Sequence, residues 1–239
     1  MKAPHFSVAD IIPFSWVDGP GNRFVLFLQG CNFNCLACHN PQTIPVMTPR
    51  STDMSVTEVI DRIRLSTPFI SGVTISGGEA TLQHEAILSL FSQIKNDPSL
   101  NHLTTFIDSN GNADHDIWDS IASVTDGVML DLKVLDDALH HELTGGSNKS
   151  VLDSISYLNK IGKLFEVRLL LVPGINDSDE LLIRTSNYLV SIYPALRIKL
   201  NAFKRHGVRA SARQWPEANE SHIEKYRKLL SSHGVHNVA

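Results

Sequence analysis

The sequence predicts an α/β fold, a partial (β/α)6 barrel of the TIM type, and three observations predict it. Short β-branched or apolar runs alternate six times with longer amphipathic stretches, the pattern of parallel strands joined by crossover helices. The 239 residues fall short of the roughly 250 usual for a closed eight-unit barrel. The motifs with recognisable chemistry also follow the strand candidates directly, and parallel α/β folds gather their ligands at the carboxyl ends of strands.

The strand candidates are residues 24–28, 73–76, 104–108, 127–132, 167–172 and 197–201. Each is a short run rich in Val, Ile, Leu, Phe or Thr, as a buried parallel strand requires. Helix candidates lie between and after them. In 55–66, Val56, Val59, Ile60 and Ile63 recur at helical spacing, with Ser55 or Thr57 placed to cap the start. In 84–95, Ile87, Leu88, Phe91 and Ile94 share a face. Residues 114–124, 150–161, 178–193 and 219–232 complete the set. The Pro-rich stretch 41–49 reads as a surface loop, and no boundary divides the chain, so a single domain over 1–239 is expected.

Composition narrows the class. Hydrophobic residues make up 42% of the chain, enough for one sizeable core. The formal charge is −4, without the basic footprint that nucleic acid requires. No apolar run approaches the roughly 18 residues of a membrane span, and the first ten residues hold no apolar leader segment. A soluble cytoplasmic protein with neither nucleic-acid nor membrane partners is expected.

All three cysteines stand within eight residues, as Cys31, Cys35 and Cys38. An odd number so crowded is not a disulfide framework; these thiols read as ligands. The segment Gln29-Gly-Cys-Asn-Phe-Asn-Cys-Leu-Ala-Cys-His-Asn40 has the spacing C-x3-C-x2-C. A cubane [4Fe–4S] cluster normally takes four thiolates. Three would leave one iron open, and an open coordination position marks a catalytic metal centre. Two other readings stand beside this one: a zinc site completed by His39, although adjacent Cys38 and His39 chelate one ion awkwardly, and thiols with a purely structural role.

Downstream, Ser76-Gly77-Gly78-Glu79 follows the second strand. Its glycines permit close backbone approach and its carboxylate can accept from an ammonium, although alone it is an ordinary turn. Asp108-Ser109-Asn110-Gly111 ends the third strand, where Asn-Gly is also a common turn pair. In Met129-Leu-Asp-Leu-Lys133, period-two alternation sets Met129, Asp131 and Lys133 on one face. Asp131 and Lys133 there are either a structural pair or ligand contacts. Arg168 stands alone in an apolar strand and calls for a carboxylate. The histidines His84, His102, His115, His140, His141 and His222 read as solvated.

The cysteine segment resembles the signature of the radical S-adenosylmethionine (SAM) superfamily, extending to Phe33-Asn34 and Ala37-Cys38-His39-Asn40. Ala37 stands where many members carry an aromatic residue against adenine. Ser15-Trp-Val-Asp-Gly-Pro-Gly-Asn-Arg23, together with Phe-Leu-Gln-Gly-Cys31 and Cys38-His-Asn-Pro41, is similar to the glycyl-radical-enzyme activating proteins. The likeness runs from about residue 11 to 207. It is nearest to the YjjW-type subgroup, through Ile12-Pro-Phe-Ser15, Ser76-Gly-Gly-Glu-Ala80 and Leu200-Asn-Ala-Phe203, but without that subgroup's cysteine-rich ferredoxin-like insertion.

This resemblance implies a barrel of the radical SAM type with one [4Fe–4S] cluster on Cys31, Cys35 and Cys38. It implies SAM held by Gly77, Gly78, Glu79, Ser109, Asp131, Lys133 and Arg168, with His206 standing in for a histidine at whose position the chain has Lys204. It further implies a monovalent cation near Asp108, Ser109, Met129 and Asp131. The partners implied are a glycyl-radical enzyme as protein substrate and flavodoxin or ferredoxin as electron donor. A small-molecule radical SAM enzyme resembling 7-carboxy-7-deazaguanine synthase and a non-enzymatic metal-binding module are the alternatives.

Overall fold

The computed structural model describes residues 4–239. The chain divides into two compact units. One comprises 4–32, Gln42–Ser109 and Ala113–Met129; the other comprises Phe33–Pro41, Asn110–Asn112 and Leu130–Ala239.

The first unit contains strands β1 (His5–Ser15), β2 (Arg23–Leu28), β3 (Thr52–Ser55), β4 (Gly72–Gly77) and β5 (Thr104–Ser109), ordered β3-β1-β2-β4-β5. Strands β2, β4 and β5 run parallel, with Phe24 opposite Val73 and Val73 opposite Thr105. Strand β1 is antiparallel to β2 and β3. Helices α1 (Val56–Ser66), α2 (His84–Asn96) and α3 (His115–Ala122) accompany them. The start of α1 is fixed by a reciprocal cap. Ser55 Oγ accepts from the Glu58 amide at 3.2 Å, and the Glu58 carboxylate accepts from the Ser55 amide at 2.8 Å. Helix α1 then buries Val59, Ile60 and Ile63, and α2 buries Ile87, Leu90, Phe91 and Ile94.

At the amino ends of β2, β4 and β5, the buried Arg23 locks the Asp-Gly-Pro-Gly turn to the strands. Its guanidinium donates to Thr74 Oγ1 (3.1 Å), Thr104 Oγ1 (2.6 Å) and the carbonyls of Pro20 (3.3 Å), Val73 (2.7 Å) and Thr104 (3.0 Å). Thr74 Oγ1 donates in turn to the Asp18 carbonyl at 2.8 Å. Burial draws the Arg23 pKa down to about 10 against the attraction of Asp126, so the side chain stays charged at neutral pH.

Strand β6 (Gly127–Leu132) carries the chain from the first unit into the second. The second unit holds α4 (Asp137–Thr144), α5 (Lys149–Lys160), β7 (Leu164–Leu171), α6 (Asp179–Ile192), β8 (Arg197–Ala202), α7 (Glu220–Ser232) and β9 (Asn237–Val238). Strands β7, β8 and β9 are parallel, with Val167 opposite Ile198 and Arg197 opposite Asn237. Asp136, Ser178 and Asn219 cap α4, α6 and α7 through their side chains.

All six strands and six helices expected from periodicity form, each within three residues of its expected ends. Four elements were not expected: β1, β3, α4 and β9. Strand β1 begins within the first ten residues, where no strand was expected. It buries Phe6 and Val8, but register shifts after Val8 and Ile12 interrupt the alternation that would reveal it. Helix α4 spans only two turns, and its single buried polar ring, His140, breaks the apolar stripe.

Candidate functional site

In the first unit, main-chain bonds fix the approach to the cysteines. Gly30 N donates to Thr43 O at 2.8 Å and Cys31 N to Ile44 O at 3.0 Å. The amide of Gln29 holds the same loop, donating to the carbonyls of Gln42 at 3.0 Å and Pro45 at 2.5 Å. The turn after β4 lies against this segment: Gly78 N donates to Leu28 O at 2.8 Å, and Glu79 N to Gly30 O at 2.7 Å. A Cβ on Gly77 would strike the backbone of Leu28, and one on Gly78 the carbonyl of Gly30. Both glycines are therefore demanded by backbone meeting backbone, before any ligand is considered.

Glu79 is buried beside them. Its Oε1 accepts from the Thr81 amide (3.0 Å), the Thr81 hydroxyl (2.7 Å) and the Ser109 hydroxyl at the end of β5 (2.7 Å). Ser76 Oγ donates to Asp108 Oδ2 at 3.1 Å. Gly77, Gly78, Glu79, Asp108 and Ser109 thus gather where β4 and β5 end, and Met129 is buried in β6. Of the proposed cation ligands, Ser109 has its proton on Glu79.

In the second unit, the stretch Phe33–Pro41 rests on α4. Asn34 N donates to Thr144 O at 2.7 Å, and Leu36 N to Leu143 O at 2.9 Å. Phe33 is buried against Gly146 and meets the His140 ring edge-on, with centroids 5.4 Å apart. His140 was expected to be solvated; this is corrected. Its ring is buried and its Nδ1 bonds the Gly146 carbonyl at 2.7 Å, which makes Nδ1 the protonated nitrogen. Burial lowers its pKa, against the pull of that carbonyl. Ala37 packs on Phe203, Val172, Val208 and Ala212. His39 stacks on Phe203, and its Nε2 bonds the Lys204 carbonyl at 3.0 Å.

Lys133, just beyond β6, pairs with Asp131 at 2.6 Å, and its carbonyl accepts from Asn176 at 2.9 Å. Arg168 finds the carboxylate it needs two residues back on its own strand face: Nε donates to Glu166 at 2.8 Å, and Arg197 takes the other oxygen at 2.7 Å. Period-two spacing of Glu166 and Arg168 was the available signal. His206 is exposed in the turn after β8.

The donor set fits a thiolate-bound cluster. None of the three cysteines is in a disulfide and all are partly exposed, and main-chain hydrogen bonds hold the backbone around them. Burial raises the Cys35 pKa, while the nearby Lys133 ammonium pulls it down. A bound cationic centre would work in the same direction as Lys133. Among the described residues, no group of three His, Cys, Asp or Glu side chains stands ready to hold a single metal ion, and the His39 ring is engaged by Lys204.

Residues 25–185 match the family model of the Radical SAM superfamily. The chain belongs to that superfamily. This radical SAM protein is 36% identical over 199 residues to a pyruvate formate-lyase-activating enzyme of Streptococcus mutans, covering 81% of this chain and 76% of the relative. It is 33% identical over 225 residues to a glycyl-radical enzyme activating enzyme of Haemophilus influenzae, covering 84% and 83%. The radical SAM protein is thus an enzyme of the activating-enzyme family. Its fold is shared with a radical SAM methyltransferase from Sphaerobacter thermophilus, at TM-score 0.69 and 15% identity, over 91% of this chain and 65% of that one. Superfamily membership implies a [4Fe–4S] cluster and SAM. Among the described residues, no helix is long and apolar enough to cross a membrane.

Proposed function

We propose that this enzyme activates a glycyl-radical enzyme by reductive cleavage of SAM. The observation that carries the reading is the confinement of every cysteine to one C-x3-C-x2-C loop, in a chain 36% identical to a pyruvate formate-lyase-activating enzyme. Cys31, Cys35 and Cys38 would hold the cluster through their thiolates, leaving one iron open. When bound, the cluster supplies one electron that breaks a sulfonium–carbon bond of SAM, giving methionine and a 5′-deoxyadenosyl radical able to take hydrogen from a glycine of the partner.

The protein's own groups bind and orient. Glu79, fixed by Thr81 and Ser109, offers a buried carboxylate to the SAM ammonium. Gly77 and Gly78, pressed against Leu28 and Gly30, set the turn that carries Glu79 and are assigned to the same SAM contact. Lys133, steadied by Asp131, offers its ammonium to the SAM carboxylate. Arg168, set by Glu166, and His206 are assigned to the rest of the SAM-binding surface. Hydrogen abstraction needs no protein base, so no proton-relay residue is assigned. With three cysteines in all, the enzyme has ligands for one cluster, and the electron comes from an external carrier such as flavodoxin or ferredoxin.

The test is anaerobic reconstitution with iron and sulfide, followed by dithionite reduction with SAM and chromatography for 5′-deoxyadenosine. Cys35→Ala serves as the control. Cysteine-dependent product, and a glycyl radical signal by electron paramagnetic resonance when a glycyl-radical enzyme is added, are expected. Stoichiometric zinc in place of a cluster would sink the reading.

A further inference from the structure

The chain as a whole is acidic, with 25 Asp and Glu against 21 Lys and Arg. One segment reverses that balance. From Lys204 to Pro216 there are four cationic residues, Lys204, Arg205, Arg209 and Arg213, and no acid. Lys204, Arg205 and Arg213 are exposed and Arg209 is half-buried. The neighbouring carboxylate of Glu217 lies 3.9 Å from Lys204 and 3.6 Å from Arg205, and Glu220 and Glu224 line the same hollow as Lys204. Contacts with half-exposed side chains at those distances do little to quench a cationic surface.

The segment is seated on the cysteine loop itself. The Lys204 carbonyl bonds His39, next to Cys38. Arg209 donates to the side chain of Asn34, next to Cys35. Val208 and Ala212 share the apolar cluster against which Ala37 packs. Whatever lands on these arginines is therefore brought against the outside of the loop that carries Cys35 and Cys38.

We propose that Lys204–Arg213 is the docking surface for an acidic one-electron carrier protein. The proposal rests on the activase reading for its premise that an external protein supplies the electron. The glycine to be oxidised must reach SAM, whereas an electron donor needs only to approach the cysteine loop from outside. A cationic patch there selects an acidic partner and speeds its encounter, as complementary charge does. In the step, the carrier is oxidised by one electron and the cluster is reduced by one.

The reconstituted enzyme is compared with Arg205→Glu/Arg213→Glu and with Arg213→Glu alone, following cluster reduction by loss of visible absorbance. Photoreduced flavodoxin is the protein donor, and reduced methyl viologen, a small cation, is the control. The double variant should accept electrons from flavodoxin about 10-fold more slowly at low salt, with the gap closing as salt is raised. The single variant should fall between, which separates charge from local misfolding. Both should match the wild type with viologen. Reduction by flavodoxin at the wild-type rate would overturn the proposal. So would an unchanged flavodoxin rate accompanied by loss of glycyl-radical formation under dithionite, which would assign the patch to the glycyl partner. Because cluster bleaching is read separately from 5′-deoxyadenosine, a salt-dependent reduction with no SAM cleavage even when a glycyl-radical enzyme is present would leave the patch standing and remove the activase reading.

Discussion

Replacing Arg23 tests whether the amino ends of β2, β4 and β5 are held by one buried guanidinium. The side chain is fully buried and reaches five acceptors on four residues, three of them main-chain carbonyls. It also lies over the Phe106 ring, 4.8 Å from its centroid. In Arg23→Lys, a single ammonium cannot occupy both ends of the fork. At least one carbonyl then loses its donor, at about 1–3 kcal/mol each. In Arg23→Met, all three lose it, for a total of roughly 3–5 kcal/mol, a large share of the about 5–15 kcal/mol that holds a domain. Arg64 is the control. It pairs with Asp61 at 3.0 Å and Asp97 at 2.9 Å, but is half exposed, so Arg64→Ala should leave the midpoint nearly unchanged. The assay is urea unfolding of the iron-free protein followed by circular dichroism, reading a shift in midpoint at constant slope. An Arg23→Lys protein within about 0.5 kcal/mol of the wild type would refute the reasoning, since the fork would then be dispensable.

Two further outcomes are expected. A Cβ at Gly146 would stand 2.6 Å from the Phe33 ring, so Gly146→Ala should cost about 1–3 kcal/mol by overpacking and lower iron uptake on reconstitution. An added Cβ at Gly162 meets nothing within 4 Å but sits at φ +69°, so Gly162→Ala should lose stability through backbone strain while taking up iron normally; equal iron content in the two variants would count against the packing argument. Asp97 is held at a pKa of about 2 by hydrogen bonds from Ser99 and Arg64, below the ordinary carboxylate value. Its contribution is therefore complete above about pH 4 and fades as pH falls toward 2. The stability difference between wild type and Asp97→Asn should shrink over that window, and a difference constant with pH would contradict it.

Much of the fold was legible because parallel strands buried on both faces are continuous apolar runs, and helices such as α1 and α2 have a clean 3.6-residue stripe. The cysteine spacing stood out because three thiols within eight residues read as ligands, and Gly77 and Gly78 because close backbone contact with Leu28 and Gly30 admits only glycine. What the sequence concealed depends on long-range contact. Nothing local shows that His140 turns inward, since its burial is compensated by the Gly146 carbonyl and by Phe33, 107 positions earlier. Glu79 reads as a ligand group, yet its bond to Ser109 spans 30 residues and appears only once β4 and β5 lie side by side. Arg168 looked solitary because its partner sits on the same strand rather than across a site.

The Phe33–Pro41 loop is held by main-chain hydrogen bonds to the carbonyls of Thr144 and Leu143, not by its thiols. Small zinc-stapled domains unravel when their metal departs; a stretch pinned by main-chain carbonyls keeps its form. Iron lost from this protein would then leave the Phe33–Pro41 stretch in its form, so that reloading calls for iron, sulfide and reduced thiols and not for refolding of that stretch.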